Sequence, residues 1–208
     1  KISCRWLKEY IDFPCGPEEC ASLLTACGLE VENISAHPSG EADDSILEIG
    51  LTPNRADAAS HIGVARDLAA AVAVKEMRRK GPAEGALPVP LHIPSVADFR
   101  EGSQAAPGVI VEDAAACPRY SGLMISGLRV APSPSWLKSK LEAIGLNPVN
   151  NIVDVTNFVL HECGQPLHAF DMAKIKGGGL IVRKANEGTV FVTLDGISRT
   201  LSSCDLVI

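Results

Sequence analysis

Asn150-Asn-Ile-Val-Asp-Val-Thr-Asn-Phe-Val-Leu-His-Glu-Cys-Gly-Gln-Pro-Leu-His-Ala-Phe-Asp171 is too polar for a core and too apolar for a loop. Ile152, Val155, Val159 and Cys163 recur at helical spacing, Asp154, Asn157 and His161 share a second face, and Gly164 with Pro166 supplies a stop. The pattern predicts a helix lined with hydrogen-bonding groups that ends in a sharp turn. The turn carries Gln165, His168 and Asp171 back toward the helix, so amide, imidazole, carboxylate and the Thr156 hydroxyl could share one small volume. Two readings stand side by side: the wet face of an ordinary helix followed by a satisfied turn histidine, or the wall of a pocket. A pocket of this kind suits an amino acid or its ester, with His168 orienting a water and Arg119, beside Tyr120, supplying a cation.

Outward from that stretch, the local signals predict an α+β chain. Pro17, Glu18 and Glu19 open a helix that buries Cys20, Leu23, Leu24 and Cys27 and stops at Gly28. Trp6, Leu7 and Tyr10 suggest a short helical turn ahead of it, and residues 29–34 and 45–51 read as strands around a polar loop from His37 to Asp44. Thr52 to Asp57 forms a turn, after which Ser60 caps a helix running to about Lys80. Four prolines and two glycines between Gly81 and Pro94 read as a linker. The expected organisation is therefore a small α/β unit at 1–80, a linker at 81–94 and a mixed-sheet domain with packed helices at 95–208. In the last part, strands are expected at 108–112, 120–130, 180–183, 189–194 and 198–201, with a helix opened by Pro134 and closed by Gly145 and a hairpin turn at Asp195-Gly196. The closing apolar run Leu206-Val207-Ile208 reads as a truncation.

Composition narrows the function classes. Of 208 residues, 46% are hydrophobic and 21% charged, the range of a soluble globular protein, and the net charge of −6 argues against a general nucleic-acid coat. The basic run Arg78-Arg79-Lys80 reads as a solvated helix end. Seven cysteines with no Cys-x-x-Cys pair point to a reduced, cytoplasmic chain rather than to a zinc or disulfide framework, and no apolar run approaches a membrane span. His161-Glu162 lacks the second histidine of a zinc protease because Gln165 stands there, and no metal ligand set is expected. Cys163 with His168 weighs toward a buried cysteine rather than a dyad. The glycines at 177–179 lack the lysine and spacing of a phosphate loop, and His61 reads as a cap or solvent-exposed residue rather than a phosphate contact.

Four stretches, in this order, carry a resemblance to the beta subunit of bacterial phenylalanyl-tRNA synthetases: Trp6-Leu7-Lys8-Glu9-Tyr10 with Gly28-Leu29-Glu30-Val31-Glu32, Leu51 to Asp57 with Ile62 to Leu68, Cys117 to Gly122, and Asn150 to Asp171. The resemblance implies an N-terminal B1-like domain at 1–80 and most of a B3/B4-like editing domain at 95–208. It further implies hydrolysis of tyrosine wrongly attached to phenylalanine tRNA, with His168 and Thr156 at the attacked ester and Asn157, Arg119, Gln165 and Asp154 on the substrate. ATP and Mg2+ for the complete enzyme, an alpha subunit in a heterotetramer of two alpha and two beta chains, and phenylalanine tRNA as partner are implied in the same way. The family's tRNA-binding OB insertion would fall between residues 35 and 44, where this sequence has only a short loop. The family's acidic contact to the tyrosine hydroxyl, its synthetase-like core and its anticodon-binding domain would lie beyond Ile208. The same residues leave open a non-catalytic tRNA- or protein-binding module and a free-standing factor that edits in trans.

Overall fold

The computed structural model describes residues 1–38, 43–80, 89–100, 102, 107–193 and 195–208, the side chain of residue 80 excepted. The chain is α+β and divides into two compact units, residues 1–98 with 130–169 and residues 99–129 with 170–208. This differs from the expected division in chain order. Residues 130–169 carry two helices and send Ile144, Leu146 and Phe158 to the first unit's core, and the parallel strand pair of the second unit needs a long connection, which leaves room for that excursion.

In the first unit a three-stranded antiparallel sheet has the order β1 (Ile2–Ser3), β3 (Asp44–Gly50), β2 (Glu30–His37). β2 and β3 pair from Glu30↔Gly50 to His37↔Asp44, with an irregularity at Val31/Asn33. The insertion point expected between 35 and 44 is thus a strand connection, of which Ser39 to Ala42 lie outside the described residues. α1 (Cys4–Leu7) follows β1 directly, and α2 (Pro17–Ala26) starts at Pro17 and ends before Gly28, whose φ of 93° is open to glycine at little cost. α3 (His61–Lys80) is capped by Ser60, whose Oγ accepts from the Gly63 amide at 3.0 Å. A Cβ at Gly63 would run into the Asp57 carbonyl, so the preceding turn and α3 pack together only because this residue is glycine.

α4 (Ser135–Ala143) and α5 (Asn151–Cys163) join this core. Ile144, just past α4, is buried in one cluster with Trp6, Leu7, Ile11, Leu24, Leu29, Leu47, Val64 and Leu68, Leu146 and Phe158 pack against that cluster, and Leu137 and Leu141 of α4 are themselves fully buried. The expected linker falls partly outside the described residues, at 81–88. Beyond it, Leu91 bridges to Ile11 and the His92 amide donates to the Tyr10 carbonyl, so this stretch runs along the first unit instead of leading away from it.

The second unit holds a sheet of order β4 (Gly108–Val111), β5 (Gly179–Lys184), β8 (Leu206–Val207), with β4 parallel and β8 antiparallel to β5. A separate hairpin pairs β6 (Val190–Val192) with β7 (Ser198–Thr200) around Gly196 at φ 78°, as the Asp-Gly signal predicts. Residues 120–130, expected as strands, join no ladder. They have the right side chains, but a strand also requires a neighbour to accept its backbone groups, and Gly127 at φ 73° breaks the extended run. No helix among the described residues is long and apolar enough to cross a membrane.

Candidate functional site

α5 carries Asp154, Thr156 and Asn157 of the expected site residues, and its ends are set by its own sequence. Asn150 caps it, accepting from the Ile152 and Val153 amides at 3.0 and 3.1 Å, and Gly164 closes it in the left-handed region at φ 82°. Its orientation reverses the expected one. Asp154 is fully buried and Phe158 packs against the core, whereas Val155 is 45% exposed and Cys163 is exposed. The valine periodicity was legible, but it does not say which side of a helix meets the core, and here polar and aromatic partners on three neighbouring segments claim the opposite side.

Those partners form a connected set. The Asp154 carboxylate accepts from the Ser133 hydroxyl and, at 2.8 Å, from the Val149 amide. Asp154, expected to touch substrate, is therefore corrected to a residue that locks the approach to α5, since a buried carboxylate stays buried only when its oxygens are satisfied. His61 is 1% exposed and is corrected likewise: it is neither a cap in solvent nor a phosphate contact. Its Nε2 accepts from the Ser3 amide at 3.1 Å, so Nδ1 holds the proton and donates to the His161 carbonyl at 2.8 Å. Burial drives the His61 pKa down to about 3, which keeps the ring neutral. The Tyr10 hydroxyl accepts from Trp6 Nε1 at 2.8 Å and donates to Glu162 at 2.7 Å; burial, then the Glu162 carboxylate, pushes its pKa upward.

Trp6 lies at the centre of an aromatic stack. Its ring is 3.9 Å from that of His61 and 4.9 Å from that of Phe158, both nearly parallel, and Trp136 meets Phe158 edge-on at 5.5 Å. The sequence reading missed this group. The spacing of Trp6 and Tyr10, and of Trp136 and Lys140, one helical turn apart in each case, was the available signal.

With its inner side so engaged, α5 turns Thr156 away from Asp154 and Phe158. A helix advances about 100° per residue, which puts Thr156 on the face of Leu160 and Cys163 and Asn157 on the flank. Both are partly exposed, and the Thr156 hydroxyl donates to the Val153 carbonyl at 2.7 Å, leaving its oxygen able to accept. Cys163 is not the buried cysteine expected: its thiol is exposed and donates to the Val159 carbonyl at 3.3 Å.

After Gly164 the chain runs through Gln165, whose amide contacts the Pro166 carbonyl at 3.4 Å, to His168; both are exposed. Asp171 caps the short turn Met172–Lys174 through the Ala173 amide at 3.0 Å. The first unit thus carries Thr156, Asn157, Gln165 and His168 on one helix and its exit. Arg119 belongs to the second unit, exposed behind a turn held by the Asp113 carboxylate and not on a strand. An exposed imidazole can accept a proton from water, and a hydroxyl with a side-chain amide can hold a polar group beside it. Two surface hollows of about 360 and 340 Å³, one beside Lys8, Ile11 and Phe13, the other between α2 and α3, are lined by none of these residues. Among the described residues no group of three or more histidines, cysteines or acids could hold a metal.

Comparison with known proteins adds the family. Residues 116–208 match the B3/4 domain. The chain is 52% identical over 165 residues to the phenylalanine–tRNA ligase beta subunit of Porphyromonas gingivalis and 49% identical over 166 residues to that of Bacteroides fragilis, each alignment taking 79% of this chain and 19% of the relative. With the beta subunit of Salinibacter ruber it shares 46% identity over 179 residues, 85% of this chain and 20% of the relative. The chain spans about a fifth of the length of the relatives it matches. Over about four fifths of its length, the chain is thus identical at about half of the aligned positions to phenylalanine–tRNA ligase beta subunits, and its last part carries the B3/4 match.

Proposed function

We propose that the chain serves as part of a phenylalanine–tRNA ligase beta subunit, supporting attachment of phenylalanine to its tRNA and hydrolysing tyrosine attached there in error. The observation that carries this reading is the identity of about half of all aligned residues to proteins of that name across 79% of the chain, with the B3/4 match over its last part. Tyrosine exceeds phenylalanine by one hydroxyl, which an apolar synthetic pocket rejects poorly, so a second site that destroys the wrong ester is the expected remedy.

In this reading His168 takes a proton from the water that attacks the ester carbonyl and returns it to the departing ribose oxygen, with the neighbouring ribose hydroxyl assisting. The Thr156 oxygen holds the water or the carbonyl region, and Asn157 and Gln165 bind the aminoacyl end of the tRNA. The partners are an alpha subunit, in an assembly of two alpha and two beta chains, and phenylalanine tRNA, in the cytoplasm. ATP and Mg2+ belong to the ligation step of the complete enzyme. Among the described residues no group of three or more histidines, cysteines or acids is placed to hold an ion, and Gly177 and Gly178 form a short turn that leads into β5, not into a helix whose amides could cradle phosphates.

Thr156→Ala in the complete heterotetramer should let tyrosyl-tRNA accumulate while phenylalanyl-tRNA formation stays level. Unchanged tyrosine mischarging would overturn the editing role.

A further inference from the structure

Lys140, on α4, lies where four segments of the first unit meet. Its ammonium is 2.6 Å from a Glu9 carboxylate oxygen and 5.2, 5.3 and 5.8 Å from the ring centres of Trp6, Phe158 and Trp136. A cation over an aromatic face is attracted by the ring's negative surface, more strongly as water is removed, and this side chain is 20% exposed. One charge therefore holds together α1, the residues that follow it, α4 and, through Phe158, α5.

Phe158 directly follows Asn157 and stands two residues after Thr156. A helix is stiff about its axis, so whatever fixes Phe158 on the inner side also fixes the direction of Thr156 on the outer side. The remaining inward ties of α5 act at other points: Asp154 one turn earlier, the His161 carbonyl and Glu162 one turn later. Side-chain atoms lie roughly 6 Å from a helix axis, so a roll of about 15° would displace Thr156 by about 1.5 Å. Errors of about 1 Å in a reacting group can reduce rates by as much as a hundredfold.

We propose that Lys140 is a positioning residue for the hydrolytic site: by joining Glu9, Trp6, Trp136 and Phe158 it sets the roll of α5 and with it the direction of Thr156 and Asn157. This rests on the editing reading given above. Lys140 touches no substrate in this scheme and acts only through the helix.

The test uses the complete synthetase. Lys140→Met keeps the apolar stem on the rings and removes the charge, whereas Lys140→Arg keeps a cation. The expected result for Lys140→Met is a fall of about tenfold in kcat for tyrosyl-tRNA hydrolysis, with KM and phenylalanyl-tRNA formation each within about twofold. Lys140→Arg should recover most of the loss. In a Thr156→Ala background the further loss from Lys140→Met should shrink, because the group being aimed is gone.

Wild-type hydrolysis by Lys140→Met beside an impaired Thr156→Ala overturns the positioning role and leaves the editing reading standing. Equal hydrolysis by wild type and Thr156→Ala overturns the editing reading and this proposal with it. An undiminished further loss in the Thr156→Ala background, or a parallel loss of phenylalanyl-tRNA formation, also overturns the proposal, since Lys140 would then act on the fold at large.

Discussion

The two units bury their side chains in very different degree. In the first, Trp6, Leu7, Ile11, Leu24, Leu29, Leu47, Leu68, Leu137 and Leu141 are all essentially sealed from water. In the second, the buried hydrophobic residues among those described are Val182 and Ala185, while Ile110, Ile181, Val190, Phe191, Val192 and Ile197 are each about half exposed or more. Their content of strand-forming residues is not what separates them. The first unit lays helices against its sheet; the second has strands and short turns but no α-helix among its described residues. Apolar side chains become a core only when a second layer closes over them. Of the two proposed reacting groups, Thr156 stands on a helix of the well-packed unit, where a side chain can be held in one direction, and His168 is exposed on the segment that leaves it.

Substitutions should reproduce this contrast. Both tryptophans lie in the first unit, so their fluorescence follows its unfolding. Trp6→Ala empties the centre of the aromatic stack and should cost about 3–5 kcal/mol in denaturant titrations followed by Trp136. Asp154→Ala leaves the Val149 amide and the Ser133 hydroxyl without their acceptor and should cost about 2–3 kcal/mol by the same measurement.

Acid should act on the first unit through His61. Its folded pKa lies below its unfolded value, so protonation favours the unfolded chain. The stability His61 contributes is complete above about pH 7 and declines as pH drops through 6.5 toward 3, by about 2 kcal/mol at pH 5. A His61→Phe variant should lose most of this decline between pH 7 and 5, and an unaltered slope would contradict the buried neutral ring. At the small end, Phe191→Ser on the hairpin should change stability by less than about 0.5 kcal/mol. A cost equal to that of Trp6→Ala would break the comparison between the units.

The same contrast explains what could be read from the sequence. Helices α2, α4 and α5 were legible to within a few residues because Pro17, Pro134, Asn150, Gly145 and Gly164 mark their ends locally. The hairpin at Asp195-Gly196 was legible for the same reason. Residues 120–130 were misread because strand formation depends on a partner elsewhere in the chain. The grouping of residues 130–169 with the first unit's contacts was not legible because their helices look alike whichever core they join. Within the candidate site the inner and outer faces of α5 were not legible: the inner face was decided by Trp6, His61 and Lys140, which are distant from α5 in sequence and whose contacts with it no local pattern reveals.

The central claim, that α5 and its exit present a hydrolytic site, is tested most directly by the rate at which the complete synthetase hydrolyses tyrosyl-tRNA with His168 present or replaced by alanine. The account predicts hydrolysis slower by about a hundredfold or more in His168→Ala, with phenylalanyl-tRNA formed at the wild-type rate. Equal hydrolysis by the two enzymes would contradict it.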